Sequence, residues 1–242
     1  MFAIRRPVAA AMAALCLAAA QAPAAMAEQV QFDLVLRGIT AGRLTYDGAI
    51  SGSSYAVAGR LQTAGLAALL KQVRYDATAK GSVSGSRYTP SGYTEKADTG
   101  KRQSESVMAY RRGVPQVTDY KPARTVRDYD IDPATQGGTV DPLTALFATL
   151  RDVDAGQECA TSLKLFDGRR ASRLTTSNRK VAGNNVTCVG EYRRVAGFSP
   201  EDMSEKVSFP FTLTYSPAAD GKMRVTEVSM DTIYGKGRLV RR

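Results

Sequence analysis

The feature that most restricts how this chain can fold is a hydrophobic period of two. Segments near residues 30–37, 42–50, 54–62, 72–81, 87–97, 103–110 and 114–120 alternate small or apolar residues with polar ones, and break at turn formers such as Gly38, Ser51-Gly52 and Arg112-Gly113. In an extended strand successive side chains point to opposite faces, so this alternation gives each strand one apolar and one polar face. A second strand-rich stretch runs from about residue 157 to the C-terminus, with breaks near Gly183-Asn184, Gly197 and Ala219-Asp220-Gly221. Short strands at such regular spacing predict a mostly β protein built on a large antiparallel meander.

Two helices interrupt the strands. Asp141 is an N-cap residue and Pro142 follows at the first helical position, where a missing N–H costs nothing. Leu143, Leu146, Phe147, Leu150 and Val153 then share one face, and Gly156 is available as a stop, so this helix is expected to pack on the sheet. A weaker helix around Gly65 to Gln72 carries Leu66, Leu69 and Leu70, also on one face.

Residues 1–27 read as a secretory signal peptide: Arg5 and Arg6 are positive, Val8 to Ala20 is apolar, and Ala25-Met26-Ala27 is a small-x-small site before Glu28. The apolar run is shorter than the roughly 20 residues of a bilayer span. Cys16 follows Leu15 rather than a small residue, which argues against a lipid anchor. Cleavage between Ala27 and Glu28 leaves one β-rich domain over residues 28–242, soluble in the periplasm, with peripheral rather than integral membrane contact. It also removes two arginines and no acid, lowering the formal charge from +10 to +8.

Cys159 and Cys188 are then the two remaining thiols in an oxidising compartment, and are expected to form a structural disulfide. In a flat meander the outer two of three strands lie about 9.5 Å apart, beyond the roughly 7 Å Cα limit for such a bond. The pairing therefore demands strong curl, a changed strand order, or cysteines at strand ends.

The chain contains no histidine and no tryptophan. Ser-His-Asp and Cys-His hydrolysis and histidine-ligated zinc are thereby excluded. Ser177-Asn178-Arg179-Lys180 fits S-x-x-K but sits in an Asn- and Gly-rich segment instead of opening a helix. Asp128, Asp130 and Asp132 alternate, yet Pro133 and Thr139 stand where a calcium loop requires glycine and glutamate. No glycine-rich phosphate loop links a hydrophobic strand to a helix. No catalytic residue, metal site or cofactor is expected.

Lys164-Leu165-Phe166-Asp167-Gly168 reads as a strand entering a type I′ hairpin, which needs positive φ at both turn residues. Arg169, Arg170 and Arg173 would lie on the returning strand, with Arg193 and Arg194 adding charge. The plain reading is a solvated strand face, and the sharper one a basic patch that binds anionic head groups or another envelope polymer. Basic residues are not interleaved with aromatics in a stacking pattern, so nucleic acid is not an expected partner.

Phe32 to Leu44 (FDLVLRGITAGRL), Thr63 to Leu70 (TAGLAALL), Val140 to Arg151 (VDPLTALFATLR), Lys164 to Arg170 (KLFDGRR) and Cys188 to Phe198 (CVGEYRRVAGF), in that order, resemble a family of exported bacterial envelope proteins, a domain of unknown function of the 3108 type. The resemblance implies an architecture similar to the lipoprotein-carrier group: a strongly curved antiparallel sheet, a half-barrel or open barrel, with the two helices on its concave side. Leu66, Leu69, Leu70, Leu146 and Phe147 would then line an apolar groove. The aromatic content of 7% leaves few side chains to plug it. The function expected is non-catalytic: binding a lipid or acyl ligand, or an envelope protein, in the periplasm. The alternative is a histidine-free cell-wall glycan hydrolase with paired carboxylates, drawn from Asp128, Asp130, Glu191 or Glu227.

Overall fold

The computed structural model describes residues 28–232 and 235–242, so the expected signal peptide and the Ala27 side of its cleavage site lie outside the described residues. Seven strands precede the main helix: β1 (Glu28–Leu36), β2 (Ile39–Ser51), β3 (Ser54–Thr63), β4 (Arg74–Ser84), β5 (Arg87–Asp98), β6 (Gln103–Arg111) and β7 (Val114–Lys121). Six follow it: β8 (Ser162–Phe166), β9 (Ala171–Ala182), β10 (Asn185–Ala196), β11 (Ser208–Pro217), β12 (Met223–Thr232) and β13 (Gly235–Arg241). All thirteen form one sheet in the order β7-β6-β5-β4-β3-β2-β1-β13-β12-β11-β10-β9-β8. Each half is thus a simple meander, and the halves join where β1 pairs antiparallel with β13.

The turn formers act where the sequence places them. Arg112 (φ 52°) and Gly113 (φ 76°) both occupy the left-handed region, as a two-residue type I′ turn requires. The 163–173 hairpin is different. Phe166 pairs with Ala171, so Asp167 to Arg170 form a four-residue loop. Gly168 is at φ 91°, but Asp167 is not in the left-handed region. The Asp167 carboxylate instead accepts from the N–H groups of Arg169 (2.9 Å) and Arg170 (2.6 Å), which replaces the type I′ geometry.

The curvature exceeds a half-barrel: the sheet closes almost completely. Its edges, β7 and β8, do not pair with each other, and the segment between Pro122 and Asp141 fills the seam. Gly138 N–H donates to Gly113 O (2.9 Å), Val140 N–H to Lys164 O (2.8 Å), and Phe166 N–H to Val140 O (2.9 Å). Arg124 donates to Gly168 O, and Arg169 pairs with Asp130 of the same segment at 2.9 Å. A β-carbon placed on Gly168 would stand 3.5 Å from Met108 Sδ and Val117 Cγ2, so the β8–β9 loop abuts β6 and β7.

Helix α2 (Pro142–Leu150) fills the interior. Asp141 caps it by accepting from Thr144 N–H (2.8 Å) and Thr144 Oγ1 (2.6 Å), and Thr144 Oγ1 also meets the Tyr55 hydroxyl at 2.8 Å. Glycines admit the helix: a β-carbon on Gly48 would come within 2.4 Å of Phe147 Cε2, and one on Gly59 within 2.7 Å of Leu143 Cδ1. Phe147 is 2% exposed and packs against the rings of Tyr46, Tyr55 and Tyr88 with centroids 6.0–6.4 Å apart. The aromatics are few, but they are concentrated inside, so the expected vacant groove around Phe147 is packed core. Leu146 is half-buried against the same core.

The weaker helix, α1 (Leu66–Leu70), does not sit on the concave side. It lies in the β3–β4 connection beside β2, with Leu69 82% and Leu70 89% exposed; the side chain of Leu66 is outside those described. Five residues span too few turns to reach into the barrel, so this pair lines no interior space. A third helix, α3 (Pro200–Glu205), starts at the N-cap Ser199.

Candidate functional site

Cys159 and Cys188 are bonded, with Cα atoms 5.3 Å apart. Cys188 lies on β10 with its side chain buried, whereas Cys159 lies off the sheet, in the loop before β8, at φ 63°. The loop folds over the barrel end and so avoids the two-strand separation of a flat meander. Beside it Glu158 is buried and pairs with Arg179 at 2.9 Å; burial raises its pKa, but the Arg179 hydrogen bond and backbone donors outweigh this and hold it below the usual range.

The basic patch is dispersed. Arg169 is tied to Asp130 and lies over the Tyr129 ring. Arg170 and Arg194 share a ring partner, Phe198, at 5.2 and 5.3 Å, and Arg194 also donates to Lys206 O (2.9 Å). Arg193 pairs with Glu191 at 3.0 Å. These four are structural cations. Arg173, like Arg170, forms no ion pair among the described residues; it lies over no ring, and its charge reaches Glu191 only from beyond ion-pair distance.

Arg173 belongs instead to a cleft of about 840 Å³ over the seam. Three further cations line it: Arg87 at the start of β5, Arg112 at the β6–β7 turn, and Lys164 on β8, directly opposite Arg173 in register. None of the four forms an ion pair among the described residues, and no carboxylate lines the cleft. Its floor is Tyr88, Leu163 and Val140, and one wall is the backbone of Gly137 and Gly138. Like charges directly across a strand pair are destabilising, so Lys164 facing Arg173 is an arrangement that an anion would relieve. Arg112 adds to this: a left-handed conformation costs a non-glycine residue of order 1 kcal/mol, and here it carries an arginine to the rim.

A second cleft of about 390 Å³ adjoins the first, sharing Ser86, Tyr88, Ser162 and Leu163 with it, and reaches Arg151 at the end of α2. The Tyr88 hydroxyl and Arg151 Nε are both enclosed beneath the cleft surface. Burial raises the Tyr88 pKa, and the charge and hydrogen bond of Arg151 offset part of that rise. The two clefts form one trough, cationic over the seam and mixed at its far end, where Arg151 and Asp154 both line it.

Of the acids considered for a glycan hydrolase, Asp130, Glu191 and Glu227 each face an arginine, and Asp128 is exposed. The structure brings together a different pair, Glu28 and Asp152, in a cleft of about 540 Å³ at one barrel end. Arg241 spans them, at 2.7 Å from Asp152 and 3.1 Å from Glu28, and Arg224 clamps Asp152 at 2.7 Å. Burial and the Asp152 charge raise the Glu28 pKa; burial would raise Asp152 too, but the two arginines hold it low. No sequence signal links these positions, which lie at opposite ends of the first half and meet only because the barrel closes. Among the described residues there is no cluster of metal-ligating side chains, and no helix is long and apolar enough to cross a membrane.

Fold and site together define a nearly closed, single-sheet antiparallel β-barrel with an internal helical plug and a cationic trough across its seam. The chain belongs to the family described as Protein of unknown function (DUF3108), whose model matches residues 31–235. No curated protein matches it. A crystal structure of a β-barrel-like protein of domain of unknown function DUF1849 from Brucella abortus is similar at 14% identity and TM-score 0.47, covering 90% of this chain and 96% of that one.

Proposed function

We propose that this is an exported, non-catalytic protein of the bacterial periplasm that binds an anionic envelope ligand or partner in the seam trough. The observation that carries the reading is the set of four cations, Arg87, Arg112, Lys164 and Arg173, none in contact with a carboxylate among the described residues, around a cleft without a carboxylate. Electrostatic focusing is strongest where one sign of charge lines a low-dielectric wall, and Tyr88, Leu163 and Val140 supply that wall. The disulfide, the signal-like leader and the net positive charge support export to a compartment facing anionic polymers. The packed interior moves the binding role from an internal acyl groove to this surface.

Co-sedimentation with an isolated envelope fraction at low ionic strength tests the reading. Wild-type protein is retained, the double variant Lys164→Gln/Arg173→Gln is not, and retention falls as salt screens the cleft. Equal retention of both forms would refute it.

The Glu28–Asp152 pair favours a second reading, glycan hydrolysis by paired carboxylates, because neighbouring acids with pKa values pushed in opposite directions are the signature of acid–base division. Two arginines already saturate Asp152, and a pair bridged by one guanidinium lacks the room that sugar or water needs between the carboxylates. Release of soluble fragments from peptidoglycan, abolished in Glu28→Gln, would establish that activity.

A further inference from the structure

Helix α1 is amphipathic in the reverse sense. Its alanines, Ala67 and Ala68, are half-buried against the barrel, while Leu69 and Leu70 are 82% and 89% exposed. Leucines on a rim helix ordinarily turn inward, because each gains by leaving water. Here the backbone fixes the opposite orientation. At the helix start Ala64 N–H donates to Ala41 O (3.1 Å), and a β-carbon on Gly65 would stand 2.9 Å from Thr40 O. At its end Lys71 N–H donates to Ala67 O (3.0 Å), Thr63 N–H to Val73 O (2.9 Å), and a β-carbon on Gly100 would stand 2.9 Å from Gln72 O. The leucines are thus presented at the barrel end that carries the β1–β2 and β5–β6 turns, and Ile39, beside the first of these turns, is 56% exposed. The charge around them is mostly of one sign. Segments 37–41, 64–73 and 98–103 hold Arg37, Lys71, Lys101 and Arg102 against one acid, Asp98, which accepts from Gly100 N–H (2.8 Å) and Gln103 Nε2 (3.1 Å). Lys71, Lys101 and Arg102 are exposed and form no ion pair among the described residues.

We infer that this rim is a membrane-contact surface that seats on a bilayer containing anionic phospholipid. Leu69 and Leu70 enter the boundary between head groups and acyl chains, while Lys71 and Lys101 keep their ammonium groups at the level of the lipid phosphates and lay their stems along the apolar layer. Five residues are too few to hold a helix as a free peptide. The barrel holds this one already formed, so little ordering of the chain opposes insertion. A protein partner fits less well: lysine is depleted in protein–protein interfaces, and two leucines on a projecting helix supply a small part of the roughly 800 Å² per partner that a stable complex buries. No residue of α1 or of the two turns lines the seam cleft, so this surface is separate from the trough and the inference stands independently of the reading above.

Co-sedimentation of the mature chain with vesicles tests this, comparing equimolar phosphatidylglycerol and phosphatidylcholine with phosphatidylcholine alone. Wild type is expected to sediment with the anionic vesicles and not with the zwitterionic ones, and less so as salt rises. Leu69→Gln/Leu70→Gln should lower the partition coefficient about tenfold or more with an unchanged circular dichroism spectrum, and Lys71→Gln/Lys101→Gln should lower it several-fold. The chain has no tryptophan, so Leu70→Trp supplies a reporter whose emission should move to shorter wavelength with anionic vesicles. Val181→Trp, at an exposed site beside the β9–β10 turn of the opposite barrel end, should show no such shift. Vesicle binding unaffected by Leu69→Gln/Leu70→Gln, or equal shifts from the two tryptophans, overturns the assignment. If Lys164→Gln/Arg173→Gln abolishes vesicle binding while Leu69→Gln/Leu70→Gln retains it, the lipid sits in the trough; this inference then fails and the reading above gains its ligand. Absence of binding to either vesicle overturns the inference and leaves the trough reading standing, and a dimer in sedimentation velocity that Leu69→Gln/Leu70→Gln dissolves would then identify a second copy of the chain as the occupant.

Discussion

Asp141 caps the helix that plugs the barrel, and it does so as a buried acid. Its side chain is fully enclosed, and burial lifts its pKa from 3.8 to about 6 despite the hydrogen bonds from Thr144 that favour the charged form. A folded-state value above the unfolded one means that folding favours the protonated acid. The associated stability is fully present below pH 3.8 and is lost as pH rises through 6. At 1.36 kcal/mol per tenfold the whole effect is about 3 kcal/mol, of which about 2.5 falls between pH 4 and pH 8. Acids held low by neighbouring arginine side chains and N–H groups, among them Asp33 and Asp130, act in the opposite direction and also shape the raw profile. The informative quantity is therefore a difference. Asparagine at 141 keeps an acceptor for Thr144 N–H and can reverse the Thr144–Tyr55 hydroxyl chain without ionising. Urea unfolding of wild type and Asp141→Asn from pH 4 to pH 8 should show the variant gaining about 2.5 kcal/mol relative to wild type as pH rises. A difference constant within about 0.5 kcal/mol, on the same linkage, would show that Asp141 titrates normally and that the cap is not enclosed as described.

Phe147→Ala removes the ring around which Tyr46, Tyr55 and Tyr88 pack, and should cost about 3–5 kcal/mol in urea unfolding; a loss below 1 kcal/mol, far under that range, would mean the interior is open. Replacing both cysteines by serine opens a loop of 29 residues, for which chain entropy gives a loss of about 3.5 kcal/mol, read as a lower melting temperature under non-reducing conditions. Lys164→Gln should raise the melting temperature at low salt by removing the cation facing Arg173, with the gain vanishing at high salt. Destabilisation in low salt would show that Lys164 has a partner after all.

Much of the fold was legible because it is written in short-range chemistry. Strand alternation, the Arg112-Gly113 turn and the Asp141-Pro142 helix start each depend on a few neighbouring residues, and each lies where the sequence places it; the Asp167-Gly168 type I′ turn, equally local, gave way to a four-residue loop held by the Asp167 carboxylate. Ser199-Pro200-Glu201-Asp202 carries the same cap-and-proline signal as Asp141-Pro142, so α3 was equally readable and was overlooked. The other failures were long-range. The five-residue α1 has a leucine stripe like α2, but only α2 meets glycines at 48 and 59 that leave it room. Arginine clustering in sequence likewise does not predict clustering in space: Arg169, Arg170 and Arg194 find partners on other segments and Arg193 pairs with Glu191 on its own strand, while Arg87 and Arg112, far from them in the chain, join Arg173.

The location of the trough follows from how the barrel ends. A thirteen-strand meander whose halves join at β1 and β13 must leave its outermost strands, β7 and β8, as edges, and unpaired edges are templates for unwanted association. Here the connection between those strands is laid along the gap, bridging to β8 through Val140 while its Gly137-Gly138 turn holds the β6–β7 turn at Gly113. Covering an edge with irregular chain leaves a wider spacing than a strand would, and that spacing is the cleft. Its cations stand at a strand start (Arg87), a turn (Arg112) and the exposed face of the β8–β9 pair (Lys164, Arg173), which core packing does not constrain, so they can vary without disturbing the plug. A change that paired β7 directly with β8 would therefore stabilise the barrel and erase the trough together, whereas changes at Lys164 or Arg173 alter binding and the local charge repulsion while leaving the strand pairing in place.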